Sequence, residues 1–340
     1  MKPFASLTPH GKLVRVRALA EAALARYSLP AATKLTMVNH TENVTYAVDP
    51  PGAARLFMRV HRTGYHTARA VESELAWARA VREDLGIVTP KAIPGADGAL
   101  VQIVDYSGID EARRVVLFHK VEGRRVSEER DMIAPFRRLG ATAARLHAHT
   151  LTWQPPPWFE RFSWDFEHTL GATPHWGPYA EAPGLSAADL ELLARVVECI
   201  RTRLEAYGKA PKRFGLVHTD LRLDNFLVKG TETRVLDFDD CGFAWHLHDF
   251  GAAVTMLEDR PDMPALAQAW LDGYRTVGSL DRTDLDMVAS FVMSRRLAAA
   301  GWIASHSDSP LSQALGVPYS QTTVRLARDY LADRYLADLK

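Results

Sequence analysis

Cysteine is nearly missing from this chain of 340 residues, which holds only Cys199 and Cys241. So sparse a pair excludes a disulfide framework and fits a reducing compartment. Long apolar runs are missing too; none nears the roughly 18 residues that a membrane-spanning helix requires. Charge of one sign is not in excess: 41 Lys and Arg balance 41 Asp and Glu. Bulk charge therefore points to neither nucleic acid nor an anionic membrane, and any charged partner must be recognised locally. Internal repeats and low-complexity tracts are absent, as is any G-x-G-x-x-G. With 47% hydrophobic and 24% charged residues, the composition is that of an ordinary globular protein.

What is present falls into two textures. "GKLVRVRALAEAALARY" is basic, yet it contains Glu21 and reads as an amphipathic helix of the fold rather than a transit peptide. Next come short β-branched or alternating runs, "KLTMVNH", "NVTYAV" and "RLFMRVHR", divided by polar or Pro/Gly breaks. In "HTARAVESELAWARAVREDLG", Val71, Leu75, Ala78, Val81 and Leu85 recur at helical spacing, with Gly86 as the stop. Two further strand signals follow, "ALVQIVDY" and "RVVLFHKVEG". Beyond residue 125 helices dominate, among them "APFRRLGATAARLHAHT" and Ser186 to Tyr207, with Ser186 as its N-cap. "LTWQPPPWFERFSW" between them reads as a loop packed by its aromatics. The fold class is α+β: a small antiparallel-sheet lobe with one long helix, then a larger, mostly helical lobe, with a cleft between them. The expected divisions are residues 1–30 (N-terminal helix), 31–120 (sheet lobe) and 121–340 (helical lobe).

One stretch interrupts the helical half. "LVHTDLRLDNFLVKGTETRVLDFDD" sets His218, Asp220, Arg222, Asp224, Asn225, Asp237, Asp239 and Asp240 among apolar residues. Buried carboxylates are costly unless paired or bound to a cation. A hairpin made of "NFLVKG" and "TRVLDF" would return Asp237 alongside Asn225. An amide oxygen meeting a carboxylate makes an oxygen-only site suited to Mg²⁺, which keeps waters and substrate phosphates as its other ligands. Asp220, five residues before Asn225, would accept a proton from a substrate hydroxyl.

These pieces resemble the aminoglycoside phosphotransferase/choline kinase family, the small-molecule branch of the protein-kinase-like fold. The resemblance rests on "LVHTDLRLDNFLV" and "VLDFDDCGFAWHLHDFGAAV", with "LFMRVHR", "SELAWARAV", "VVLFHKVEG" and "LGATAARLHA" upstream in the family's order. It implies a two-lobed protein-kinase-like fold and a cytoplasmic enzyme that moves the γ-phosphate of ATP or GTP to a small molecule's hydroxyl. It further implies Asp220 as base or aligning group, Asn225 and Asp237 as Mg²⁺ ligands, and His218 as a buttress. Arg59 would occupy the family's phosphate-binding lysine position, with Glu74 as its helix partner. Phe118, His119, Lys120 and Val121 would form the linker whose backbone meets adenine. Arg222 matches the position of a cation on the transferred phosphate.

This chain departs from the family pattern at three points. "NHTENVTYAV" stands where a glycine-rich loop might be; Arg59 replaces a point charge by a fork; Thr219 stands where glycine is common, implying an altered backbone or a hydroxyl near substrate. Asp239 and Asp240 read as caps of a following helix, or as solvated groups. With Asp224, Glu258 and Asp259 they also read as surplus carboxylates that would favour a cationic acceptor: an aminoglycoside, an amino alcohol or an amino acid. No long activation segment follows Asp237, which disfavours a protein substrate. Two rival classes use parts of the pattern. One is a metal hydrolase built on His246, His248 and Asp249 beside Asp237 and Asp239; the other is a nucleotide-binding module without turnover.

Overall fold

The computed structural model describes residues 3–126, 131–230, 232–337 and 339. The chain divides into two compact units, Met1–Glu122 with Pro155–Glu160, and Gly123–Gln154 with Arg161–Lys340.

In the first unit, helix α1 (Pro9–Ala23) is capped by Thr8, which accepts from the Gly11 amide. Strands β1 (Lys34–His40), β2 (Val44–Asp49) and β3 (Leu56–Val60) precede helix α2 (Ala68–Leu85). Strands β4 (Ala92–Ile93), β5 (Gln102–Val104) and β6 (Arg113–His119) follow it. All pair antiparallel in the order β1-β2-β3-β6-β4, with β5 also on β6. Side chains alternate across a strand, so each strand serves two faces. Leu56, Met58, Val60, Val115 and Leu117 join Val16, Leu19, Ala20 and Ala23 of α1 in one core cluster. Val116 and Phe118 point the other way, onto Val71 and Leu75 of α2. That second face also takes the alternate residue Arg59 of β3. The α2 stop at Gly86 is realised as a left-handed C-cap with φ 65°, where glycine pays no Cβ penalty.

The second unit contains strand β7 (Arg124–Arg125) and helices α3 (Ile133–Thr150), α4 (Phe166–Thr169) and α5 (Ala187–Tyr207). Strands β8 (Phe214–Val217), β9 (Phe226–Lys229), β10 (Glu232–Val235) and β11 (Gly242–Trp245) follow. Helices α6 (His248–Ala253), α7 (Met263–Arg275), α8 (Arg282–Ser305) and α9 (Pro310–Leu331) complete it. Ser186 caps α5 in a reciprocal box with Asp189. β9 and β10 form the expected hairpin, pairing Phe226 with Val235, while β8 pairs β11.

Helices α3 and α7 approach backbone to backbone at two glycines. A Cβ on Gly140 would sit 1.9 Å from the Trp270 carbonyl oxygen, and one on Gly273 1.9 Å from that of Arg137. Neither neighbour is a flexible side-chain end, so the helices would have to separate. Gly140→Ala is expected to destabilise the protein by about 1–3 kcal/mol, the usual cost of overpacking. Urea denaturation of the variant checks this, and an unchanged midpoint would refute it. α8 is buried almost all round, from Met287 to Ile303, as expected for a helix enclosed by its neighbours. Within it Arg296 is buried and paired with Glu258 at 2.7 Å. No helix among the described residues is long and apolar enough to cross a membrane.

Candidate active site

The loop between β8 and β9 carries His218, Asp220, Arg222, Asp224 and Asn225 of the polar cluster, and two braces hold its backbone. The first is Asp249, at the start of α6 and fully buried. The Thr219 amide donates to Asp249 Oδ1 at 2.6 Å and the His218 amide to Oδ2 at 3.3 Å. His147 of α3 donates from Nε2 to the same Oδ2 at 2.9 Å and accepts at Nδ1 from the Tyr274 hydroxyl of α7 at 3.0 Å. Burial pushes the Asp249 carboxyl upward, but the hydrogen bond from His147 and the nearby imidazoles outweigh it and hold the group below the usual carboxylate range. The glycine crossing of α3 and α7 therefore also sets this brace.

The second brace is His218. Its Nδ1 accepts from the Asp220 amide at 3.3 Å and its Nε2 donates to the Leu236 carbonyl at 2.9 Å. His218 thus ties the loop to the far strand of the hairpin, the buttress expected of it. Thr219 holds φ 66°, a rare left-handed conformation for a β-branched residue. It thus keeps the left-handed backbone that glycine would favour. Its hydroxyl donates to the Asp240 carbonyl at 2.8 Å.

Asp220 is gripped at both oxygens. Asn225 Nδ2 donates to Asp220 Oδ2 at 2.7 Å and to its carbonyl at 3.0 Å. Arg295 of α8 donates to Asp220 Oδ1 at 2.7 Å. Burial raises the Asp220 carboxyl, while Arg222 and Arg295 pull harder and leave it ionised below the usual range. Both bonds from Asn225 to Asp220 use the Asn225 amide nitrogen, so neither uses its amide oxygen. The Leu236 amide donates to the Asn225 carbonyl at 2.8 Å, so the hairpin brings Asp237 next to Asn225 across a bonded pair. Asp237 is exposed at φ 56°. An amide oxygen with an adjacent exposed carboxylate is a donor set that fits Mg²⁺.

Arg222 pairs with Asp224 at 2.6 Å and lies 3.9 Å from Asp220 Oδ2. Asp239 and Asp240 are buried, and the next element is β11 rather than a helix, so both the helix-cap and the solvated readings are corrected. Their carbonyls serve the loop: Arg161 donates to that of Asp239, and Trp164 Nε1 to that of Asp240 at 2.8 Å. The surplus of carboxylates also shrinks. Asp224 is bound to Arg222, Glu258 to Arg296, and Asp259 lies 3.8 Å from Arg325.

In the first unit, Arg59 donates to Glu74 Oε1 at 2.8 Å, with side-chain exposures of 11% and 4%. Its guanidinium also lies 5.3 Å from the Phe118 ring centre. Both residues occupy the sheet face that α2 covers, as alternation predicts. Phe118 pairs with Phe57 and Ala92, and the His119 amide donates to the Lys91 carbonyl at 2.9 Å. Exposed Lys120 pairs with Glu122 at 2.9 Å, and Val121 is half-buried beyond the strand's end.

His246, His248 and Asp249 do not converge as a ligand set among the described residues. His246 stacks on His147 at 4.5 Å between ring centres, and Asp249 spends its oxygens on the loop. Burial pushes His246 down to about 3, with His147 adding to the effect; burial and Arg295 do the same to His248. These rings are neutral when folded and protonate on unfolding. Between about pH 3 and the usual histidine value near 6.5 the unfolded chain binds more protons, so stability rises with pH across that window and is fully present above it. Each ring should contribute a slope of about 1.4 kcal/mol per pH unit there. Chemical denaturation at several pH values checks this; His246→Phe should flatten the slope by its own share.

Arg295, Thr255, Trp176 and His147 escaped the sequence reading. Two of them carry a signal in the sequence: Arg295 in the adjacent arginines of "SRRLAAAGW", an unusual pair inside a run of small and apolar residues, and His147 in "LGATAARLHA", one of the stretches on which the resemblance rests.

A mixed sheet-and-helix protein with a buried Arg–Glu pair and an Asp-x-x-x-x-Asn loop, closed by a hairpin onto a second aspartate, is a phosphotransferase of kinase-like fold. The family model of the phosphotransferase enzyme family matches residues 35–285, and the chain belongs to that family. A structure of the microcompartment-associated aminopropanol kinase is 38% identical, covering 94% of this chain and 99% of its own, with a TM-score of 0.86. Amicoumacin kinase of Bacillus subtilis is 25% identical over 301 residues, 85% of each protein. A choline/ethanolamine kinase family protein from Mesorhizobium loti, 16% identical, shares the fold at a TM-score of 0.63 over 94% of this chain and 98% of its own.

Proposed function

We propose that this enzyme is an ATP-dependent, Mg²⁺-requiring kinase that phosphorylates the hydroxyl of a small amino alcohol in the cytoplasm. The observation that carries the acceptor class is the 38% identity to an aminopropanol kinase across 94% of the chain. In this reading Asp220 aligns the acceptor hydroxyl and takes its proton. Asn225 and Asp237 hold the divalent ion, which neutralises charge on the phosphates when bound. Arg59, held by Glu74 at 2.8 Å, contacts the phosphates, and the backbone of Phe118 to Val121 meets adenine. Arg222 supports the transferred phosphoryl group once it exchanges Asp224 for it. The fixed loop supports a catalytic strategy of positioning and charge neutralisation, with little covalent chemistry left to the protein.

The test is ATP consumption over a panel of aminopropanol, ethanolamine, choline, homoserine, an aminoglycoside and a sugar, with mass detection of the product. Saturable, Mg²⁺-dependent turnover of aminopropanol or a close amino alcohol, and a product heavier by one phosphate, is the expected result. Turnover of only the antibiotic or the sugar would overturn the acceptor class. Phosphate release from an ester without ATP would favour the hydrolase instead.

A further inference from the structure

Helix α6 meets α8 at another close glycine contact. A Cβ on Gly251 would lie 2.7 Å from the Phe291 carbonyl oxygen and 3.1 Å from Arg295 Cβ. The first turn of the same helix carries Asp249, which holds the loop backbone. Packing α8 this tightly against α6 brings Arg295 to the loop, although 75 positions separate it from Asp220.

The Arg295 guanidinium is buried and makes three different bonds. Nη2 donates to Asp220 Oδ1 at 2.7 Å, Nη1 to the Thr219 carbonyl at 3.1 Å, and Nε to the Thr255 hydroxyl at 3.2 Å. The indole of Trp176 lies 4.3 Å from its central carbon and backs it by a cation–π contact. With Asn225 on the other oxygen at 2.7 Å, the Asp220 carboxylate is held from two sides. That matters because the terminal torsion of an aspartate is otherwise broad. An ionised carboxylate has about four lone-pair directions. The clamp uses two, which leaves acceptor capacity for an incoming hydroxyl.

We infer that Arg295 is a positioning residue for phosphoryl transfer, fixing the plane of the Asp220 carboxylate against the acceptor hydroxyl. This rests on the reading that Asp220 aligns the acceptor. A lysine at this position keeps the buried positive charge but is a point donor, and it cannot hold three acceptors in one plane. Trp176 and Thr255 act through Arg295 and touch no reacting atom.

The experiment compares Arg295→Lys, Arg295→Ala, Asp220→Asn and the double variant Asp220→Asn/Arg295→Lys in the full chain. It measures kcat, the KM for ATP and the melting temperature. Arg295→Lys should fold and lose roughly 100-fold in kcat, the scale of a 1 Å misplacement, with KM for ATP unchanged. Arg295→Ala should lose at least as much, and added guanidinium salt should restore part of it. The double variant should be no slower than Asp220→Asn alone, since the arginine acts only through that carboxylate. Wild-type kcat in Arg295→Lys, or a loss appearing in KM for ATP, overturns the inference. Should Arg295→Ala not fold, the lysine variant and the double variant still decide. Wild-type kcat in Asp220→Asn would instead sink the alignment reading itself.

Discussion

Asp220→Asn loses roughly two to four orders of magnitude in kcat, the range by which a positioned base accelerates transfer, while the fold survives. Asparagine keeps the shape and can still accept from Arg295 at one oxygen; it cannot take a proton or carry the charge that faces the acceptor. Asp220→Ala behaves differently. It leaves Arg295, whose side chain is 4% exposed, without its anion. Breaking a buried pair from one side costs about 3–5 kcal/mol, somewhat less here because the aspartate is 23% exposed. Activity and denaturation measured on both variants separate the two effects. If asparagine left the rate intact, the proposed role of Asp220 would fail; if alanine cost no stability, the clamp would be weaker than its geometry implies.

Asp237→Asn is expected to reduce kcat/KM for Mg²⁺-ATP roughly thousandfold, the several kcal/mol that a metal clamp on phosphoryl oxygens supplies. Asparagine is the informative replacement, since it tolerates the left-handed backbone at φ 56° and changes one carboxylate oxygen to an amide. Asp237 is exposed, so the melting temperature should barely move. Titrating Mn²⁺ against the nucleotide-loaded protein gives a readout independent of turnover: the variant should bind the ion far more weakly. Unchanged ion affinity would place the metal elsewhere.

Several parts of this protein were legible in its residues because local periodicity sets them. The two-residue alternation of β3 sent Arg59 to the α2 face, and the helical stripe of α2 sent Glu74 to meet it. Gly86 and Ser186 mark helix ends through backbone preferences that need no neighbour. The hairpin between Asn225 and Asp237 is short enough for its register to follow from the turn.

Other features were hidden. Asp239 and Asp240 looked like solvent-facing caps because their burial is created by Arg161 and Trp164, from a segment almost eighty positions away. Thr219 looked like a break from a glycine position, yet the bonds from Asp249 and to Asp240 hold it in the left-handed conformation. Three of the carboxylates that suggested a cationic acceptor, Asp224, Glu258 and Asp259, lie against arginines distant or near in the chain.

The sequence alone determined which chemistry this chain carries: a histidine, two aspartates and an asparagine at spacings that one loop and one hairpin can bring together, since only local geometry is involved. Tertiary structure alone decided how firmly those groups are held. Arg295 reaches the loop, and His147 with Tyr274 behind it reaches the aspartate that braces the loop, where glycines let α8 press on α6 and α7 on α3, and such close approaches depend on the mutual packing of whole helices, which no short-range pattern encodes.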